Sequence, residues 1–295
     1  MSPWAPRPGP AAAAGVVVGT AVGAAWAARA GLAAQAAAAR RTIGKPLGEE
    51  ALEADRTWKP SYGDPVDLLL LGDSIAAGLG ARRRRETLGS QLGKRLAKAL
   101  HRSVRVTTAA RVGAETSQLR TQLTGLPPGY RADVAVIVVG GNDVTHRVPT
   151  KASAEQLAEA VDVLRADGTE VVVGTCPDLA ALTAVPQPLR TLGSVASRRL
   201  AEAQRRTALE HGARVVSLAT VVGPFFAAQP DTMFAEDRFH PSPEGYRRTA
   251  KALLPSVLAA LGHVDAVPFG HAAPVVAPTP PPDVMRSGRP DDHLA

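Results

Sequence analysis

"VDLLLL" (66–71), followed at once by "GDSIAAGLG" (72–80), is the stretch on which the fold turns. An apolar run of this length without strict alternation suits a strand buried on both faces, as in the interior of a parallel sheet. The Gly-Asp-Ser after it is a strand-to-helix turn. Four further runs of the same kind lie downstream: "VRVTTA" (104–109), "DVAVIVVG" (133–140), "EVVVGT" (170–175) and "ARVVSL" (213–218). Helical stretches separate or follow them, at 86–101, 115–123, 153–168, 197–212 and 242–261. Ser153 with Gln156 has the form of a capping box, and Gly168 and Gly212 stand where C-terminal caps belong. The last stretch opens on Ser242 as cap with Pro243 at the first helical position, and its Pro255 predicts a kink or break. This β–α alternation predicts an α/β fold, a three-layer α/β/α sandwich.

The flanks read differently. Gly9 to Ala28, "GPAAAAGVVVGTAVGAAWAA", is 20 residues without a charge, about the length a helix needs to cross a bilayer. Three readings compete: a membrane anchor, a cleaved signal peptide ending near "AWA", and an Ala-rich extension of a soluble chain. Flanking charge favours a cytoplasmic main domain, whereas a signal peptide would export it. Residues 1–45 are therefore read as anchor or signal segment and linker, 64–262 as the main domain, and 263–295, with its "APTPPP", as a disordered tail. Residues 40–64 read as a polar linker with one short helix.

Net charge is +7 in 295 residues, which suits anionic surfaces. Zinc-finger spacing and a basic stripe interleaved with aromatics are both absent, which argues against nucleic acid as a partner. The single Cys176 rules out an intrachain disulfide.

In an open parallel sheet, ligands bind beyond the carboxyl ends of the strands. The residues just after each strand are therefore informative. Gly72, Asp73 and Ser74 come after the first; Gly113 after the second; Gly141 and Asn142 after the third; Asp237 and His240 stand just before the last helix, in "FAEDRFHPSPEGY" (234–246). Each has a plain structural reading. Ser74 could cap a helix, Gly113 could be a turn glycine, Asn142-Asp143 a turn pair, and His240 a residue packed on the last helix. Together they supply the parts of nucleophilic catalysis. A serine hydroxyl needs a base, imidazole suits that task, a carboxylate orients the imidazole, and the tetrahedral intermediate needs preorganised donors. The N–H groups of Ser74 and Gly113 and the amide of Asn142 could serve as those donors. A second Asp-x-x-His, Asp143 to His146, is the internal rival for the base.

At this point the sequence resembles a family. "LLLLGDSIAAG", "VGAETSQL", "VVGGNDV" and "DRFHPSPEGY" are similar, in order, to the four sequence blocks of the SGNH hydrolases, the GDSL lipases and esterases, over residues 64–262. The closest likeness is to bacterial esterase and lysophospholipase-like members. The resemblance implies a flavodoxin-like sandwich around a five-stranded parallel sheet. It implies Ser74 as nucleophile, His240 as base and Asp237 as its partner, with Ser74, Gly113 and Asn142 as the oxyanion hole. It implies hydrolysis of carboxylic esters; the uncharged N-terminal segment and the positive charge point to a small-molecule or lipid ester, and no cofactor or metal is expected. Carbohydrate O-deacetylation or acyl transfer in the cell envelope is the alternative within the enzyme class, and an inert acyl- or sugar-binding module the alternative outside it.

Other chemistries lack their motifs. The chain has no G-x-G-x-x-G after the first strand, no phosphate loop, no zinc-ligand cluster and no G-x-S-x-G elbow. Two stretches stay open. Arg82 to Arg85 reads either as a solvated loop or as an attraction for phosphate head groups near the pocket mouth. "PDLAALTAVPQPLR" (177–190) reads either as a substrate-facing lid or as a packed loop.

Overall fold

The computed structural model describes residues 10–44 and 46–274. Its centre is one mixed sheet in the order β1-β3-β2-β4-β5-β6-β7. The five inner strands are β2 (Val66–Gly72), β3 (Val104–Thr108), β4 (Val134–Val138), β5 (Glu170–Gly174) and β6 (Arg214–Val216). They are parallel throughout, as the apolar runs predict. A short antiparallel strand closes each edge, β1 (Arg56–Trp58) on β3 and β7 (His271–Ala272) on β6. The expected five-stranded parallel sheet is thus the core of a seven-stranded one.

Both edge strands lie in segments expected to have none, the linker at 40–64 and the tail at 263–295. Strands of three and two residues are too short to carry a period. β1 is held by the packing of Trp58 on α3 (Leu88–Leu100), where a Cβ added at Gly93 would come within 2.9 Å of the indole. Residues 275–295 lie outside the described residues.

Side-chain alternation sorts the strands onto two cores. Leu68, Leu70, Val104, Val106, Val134 and Val136 face α3 and α11 (Pro243–Ala260). Leu69, Leu71, Ala135, Ile137, Val171 and Val173 face the other layer. That layer is built from α4 (Leu119–Thr124), α6 (Thr150–Ala166) and α7 (Leu189–Glu210), and the short helices α8 (Leu218–Val221), α9 (Gly223–Ala228) and α10 (Pro230–Met233) link β6 to α11. Leu68 to Leu71 are all essentially inaccessible to solvent. Each such leucine contributes about 1.5–3 kcal/mol. Hence the first run lacks polar residues beyond Asp67, since both faces of this strand are covered.

Three helix expectations change. α6 begins at Thr150, with Pro149 as its N-cap, so Ser153 lies inside the helix rather than at its start. Its hydroxyl donates instead to the buried carboxylate of Asp143, at 2.6 Å. α11 opens as expected, with Ser242 accepting from the N–H groups of Glu244 and Gly245, but it runs unbroken through Pro255. α1 (Pro10–Ile43) extends into the region read as linker. Residue 9 and the side chains of most of the uncharged segment 9–28 lie outside the described residues. Among the described residues no helix is long and apolar enough to cross a membrane.

The strand order decides where a site can form. β2 leads to β3 on one side, and the chain then crosses back to β4 on the other side of β2. The carboxyl ends of β2 and β4 therefore flank the topological switch point, the usual crevice of a doubly wound sheet.

Candidate active site

The register pairs Gly72 with Val138, so β2 and β4 end side by side. Gly72 has φ +129°, and a Cβ there would lie 1.9 Å from the carbonyl oxygen of Val138. Only glycine lets the chain leave the sheet at this point. Asp73 then caps α2 (Ser74–Ala77), its carboxylate accepting from the N–H of Ile75 at 2.9 Å. Ser74 is consequently the first helical residue and not the cap.

Ser74 Oγ lies 3.0 Å from His240 Nε2, and His240 Nδ1 lies 2.5 Å from Asp237 Oδ2. A carboxylate can only accept, so Nδ1 carries the proton and Nε2 is left to accept from the Ser74 hydroxyl. Asp237 Oδ1 accepts from the N–H groups of Phe239 and His240, both at 3.0 Å. Burial pushes the Asp237 carboxyl up, but its hydrogen bonds from the His240 ring and from these two N–H groups outweigh that and hold it below its ordinary value. The loop itself is pinned. Ala235 N–H donates to the His240 carbonyl at 2.8 Å, and Ser242 N–H to the Met233 carbonyl at 2.8 Å. The three-residue spacing thus lets one turn present carboxylate and imidazole as a unit, with Pro241 and Pro243 leading into α11.

Asn142 lies in the first turn of α5 (Gly141–His146). Its amide donates to the Ala114 carbonyl at 3.0 Å, tying it to the loop that carries Gly113. Gly113 has φ +80°, the left-handed conformation that favours glycine. Among the described residues, the N–H groups of Ser74 and Gly113 have no intramolecular acceptor. Ser74, Asn142 and His240 line one cavity of about 810 Å³, its open mouth included. Gly113 does not line it.

The rival Asp-x-x-His is not a pair. Asp143 is buried and accepts from Thr116 N–H and the Ser153 hydroxyl, whereas His146 is exposed and bonded to Glu115 at 2.7 Å. Asp143 instead fastens the Asn142 turn to the Gly113 loop and to α6.

Three further residues around the site have a role that no local reading of the sequence assigns. Gln122, buried in α4, accepts from Gly72 N–H at 2.8 Å and donates to Gly72 O at 2.7 Å, acting as a strand neighbour at the Gly-Asp-Ser turn. Gln204 does the same between Cys176 N–H and the Val139 carbonyl. Tyr246, fully buried, donates to the Leu79 carbonyl at 2.6 Å and so holds the chain just after α2. Each is a polar residue on an otherwise ordinary helix, and only its distant backbone partner reveals the role.

The remaining cavity wall is mainly apolar, with Asp73, Asp178 and Thr249 as its other polar members. Leu179 and Leu182 come from the segment 177–190, Val222 and Phe226 from the region after β6, and Phe234 and Phe239 from the Asp237 loop. The proline-rich segment is therefore a cavity wall. Asp178 ties it to α7 by accepting from the Ser194 hydroxyl and Arg198 Nε, both at 2.7 Å.

Asp73 gives the site a pH signature. Burial pushes its carboxyl up to about 6, against the opposing pull of N–H donors at Ile75 and Gly141 and of nearby His240. A carboxyl whose folded pKa lies above its unfolded value near 3.9 binds its proton more tightly in the fold. Its contribution to stability is therefore full below about pH 4 and is lost as pH rises to about 6, on the order of 3 kcal/mol in all. Asp73→Asn, which cannot ionise, should remove that decline. Urea melts of both proteins at intervals from pH 4 to 7 check it, and parallel curves would contradict it.

Residues 70–248 match the GDSL-like Lipase/Acylhydrolase family. The GDSL-like esterase Rv1075c of Mycobacterium tuberculosis is 37% identical over 222 residues, covering 74% of this chain and 69% of that protein. Among solved structures, the fold is similar to the psychrotrophic esterase EstA from a Pseudoalteromonas species, at 18% identity and TM-score 0.53, over 66% of this chain and 98% of that one. It is equally similar to the lipase/acylhydrolase from Enterococcus faecalis, at 18% identity and TM-score 0.53, over 66% and 96%. The α/β/α architecture, the four sequence blocks and the family match agree: the chain belongs to the GDSL-like lipase/acylhydrolase family of SGNH hydrolases and is a carboxylic ester hydrolase.

Proposed function

We propose that residues 64–262 form a serine esterase or lipase that hydrolyses acyl esters through an acyl-enzyme on Ser74. The observation that carries this reading is the hydrogen-bonded series Ser74, His240, Asp237 at the wall of an apolar cavity. In the first half-reaction, Ser74 Oγ attacks the ester carbonyl while Nε2 of His240 takes its proton. Asp237 stabilises the imidazolium so formed. Collapse of the tetrahedral intermediate breaks the ester C–O bond, and His240 returns the proton to the departing alcohol. Water repeats the sequence on the acyl-enzyme and frees the acid.

The oxyanion is held, on this reading, by the N–H groups of Ser74 and Gly113 and by the Asn142 amide. The free state of the two N–H groups and the bond from Asn142 to Ala114 support that assignment. Asn142→Ala should lower kcat by about 10²–10³ with little change in folding, a loss measurable on any turned-over ester. Unchanged turnover would remove Asn142 from the role.

The cavity favours an acyl chain over a sugar. Leu179, Leu182, Val222, Phe226 and Phe234 offer apolar surface, and of the polar residues beside them Asp178 already accepts from Ser194 and Arg198 and Thr249 donates to the Gly245 carbonyl. A series of p-nitrophenyl esters graded by chain length, run beside lysophospholipids and acetylated sugars, tests the reading. Turnover of acyl esters is expected, and preference for acetylated sugars would move the assignment to a deacetylase. The reading also has segment 9–28 act as a membrane anchor or cleaved leader, supported by its length and lack of charge.

A further inference from the structure

The run Arg82–Arg85 is part of a larger feature that folding assembles. The turn at 84–86 packs against both α3 and α11, which themselves lie side by side on one face of the sheet. Outward from α3 point Lys94, Arg95 and Lys98; outward from α11 point Arg247, Arg248 and Lys251. Segments 82–100 and 243–260 together hold ten Lys and Arg against two Glu, an excess larger than the +7 of the whole chain. Of the two acids, Glu244 is engaged by Arg247 at 2.6 and 2.7 Å, and Glu86 accepts from the backbone N–H of Arg82. Among the described residues, Arg83, Arg84, Arg85, Lys94, Lys98 and Lys251 have no ion-pair partner. The crowding is felt within the face, where burial and then the charge of Arg247 lower the pKa of the Arg95 guanidinium. So much unpaired charge of one sign costs stability and calls for an anionic partner.

The face borders the active site at two points. Gly80, two residues before Arg82, packs on Pro241, where an added Cβ would lie 2.3 Å from the Pro241 carbonyl oxygen. Pro241 is the neighbour of His240. Arg248 sits 3.9 Å over the ring of Phe225, and the next residue, Phe226, lines the cavity.

We propose that this basic face docks the enzyme on an anionic lipid bilayer, with the apolar cavity at the edge of the contact. A bilayer is favoured over nucleic acid by two features. The surface beside the face is a mainly apolar cavity, and the only aromatic in the two segments, Tyr246, is fully buried, so neither segment presents a ring for bases to stack on. Docking goes beyond the esterase reading and is tested apart from it.

The test is vesicle titration of the full chain, with phosphatidylcholine alone and with about 30% phosphatidylglycerol, at low salt and at about 0.5 M salt. The apparent Kd of the wild type should tighten tenfold or more with the anionic lipid, and the gain should vanish at high salt. Arg84→Glu/Lys94→Glu/Lys98→Glu/Lys251→Glu should lose the gain while keeping turnover of a soluble p-nitrophenyl ester within about twofold. If that variant does not fold, the same four positions changed to Gln should lose most of it. A wild type indifferent to phosphatidylglycerol overturns the proposal. An equal gain in the variant also overturns it, since Arg29, Arg40 and Arg41 would then carry the attraction. Tighter binding of a short DNA duplex than of anionic vesicles would assign the face to nucleic acid instead. Loss of ester turnover in the wild type would count against the esterase reading and leave the vesicle result standing.

Discussion

Replacing Ser74 with Ala should lower ester turnover by roughly 10⁴–10⁶-fold and abolish covalent labelling by a fluorophosphonate probe. The size of the effect reflects the groups removed. On the proposed mechanism the reaction loses its nucleophile, and His240 loses the hydroxyl 3.0 Å from Nε2 that it would deprotonate. Only the binding cavity and the oxyanion donors are left to act on water. The fold should be unaffected, because the Ser74 hydroxyl has His240 as its hydrogen-bond partner, and α2 keeps its cap from Asp73. Circular dichroism and a thermal melt alongside the assay separate lost chemistry from lost folding. Wild-type protein that is well folded yet refuses the probe would instead favour an inert acyl-binding module.

The second large effect distinguishes the two histidines. His240→Ala should cost about as much as Ser74→Ala, since nucleophile and base act as one unit and their losses are not additive. His146→Ala should leave kcat within about twofold, because His146 is exposed and its bond is a surface pair with Glu115. The double variant Ser74→Ala/His240→Ala should be no slower than either single one. If His146→Ala instead inactivated the enzyme and His240→Ala did not, the assignment of base and partner carboxylate would be exchanged.

The two Asp-x-x-His stretches show what separates a legible residue from an illegible one. They have the same spacing, and nothing within either four-residue window sets them apart. The fold does so by position. Asp143 is drawn into the interior by Thr116 N–H and the Ser153 hydroxyl, while Asp237 stays beside its own histidine and accepts from two N–H groups of its own turn. The same logic explains Ser153. A local rule made it a helix cap, but a buried carboxylate ten residues earlier along the chain offers its hydroxyl a better partner than a helix terminus does.

Local physics wrote much of this protein directly into its sequence. Of the five inner strands, β2, β4 and β5 are legible because burial on both faces demands nearly unbroken apolar runs, and β3 and β6 as short Val-containing runs. The α/β class follows from their alternation with helices, and the Gly-Asp-Ser turn and the Asp237–His240 spacing each act within a few residues. Tertiary structure alone decided the rest. It brought Ser74 to a histidine 166 residues away, recruited Gln122 from 50 residues away to bond Gly72, added edge strands too short to signal themselves, and gathered charges from 82–100 and 243–260 onto one face. Such contacts depend on strand order and register, which are set by how two whole layers pack on a sheet and not by any neighbouring residue.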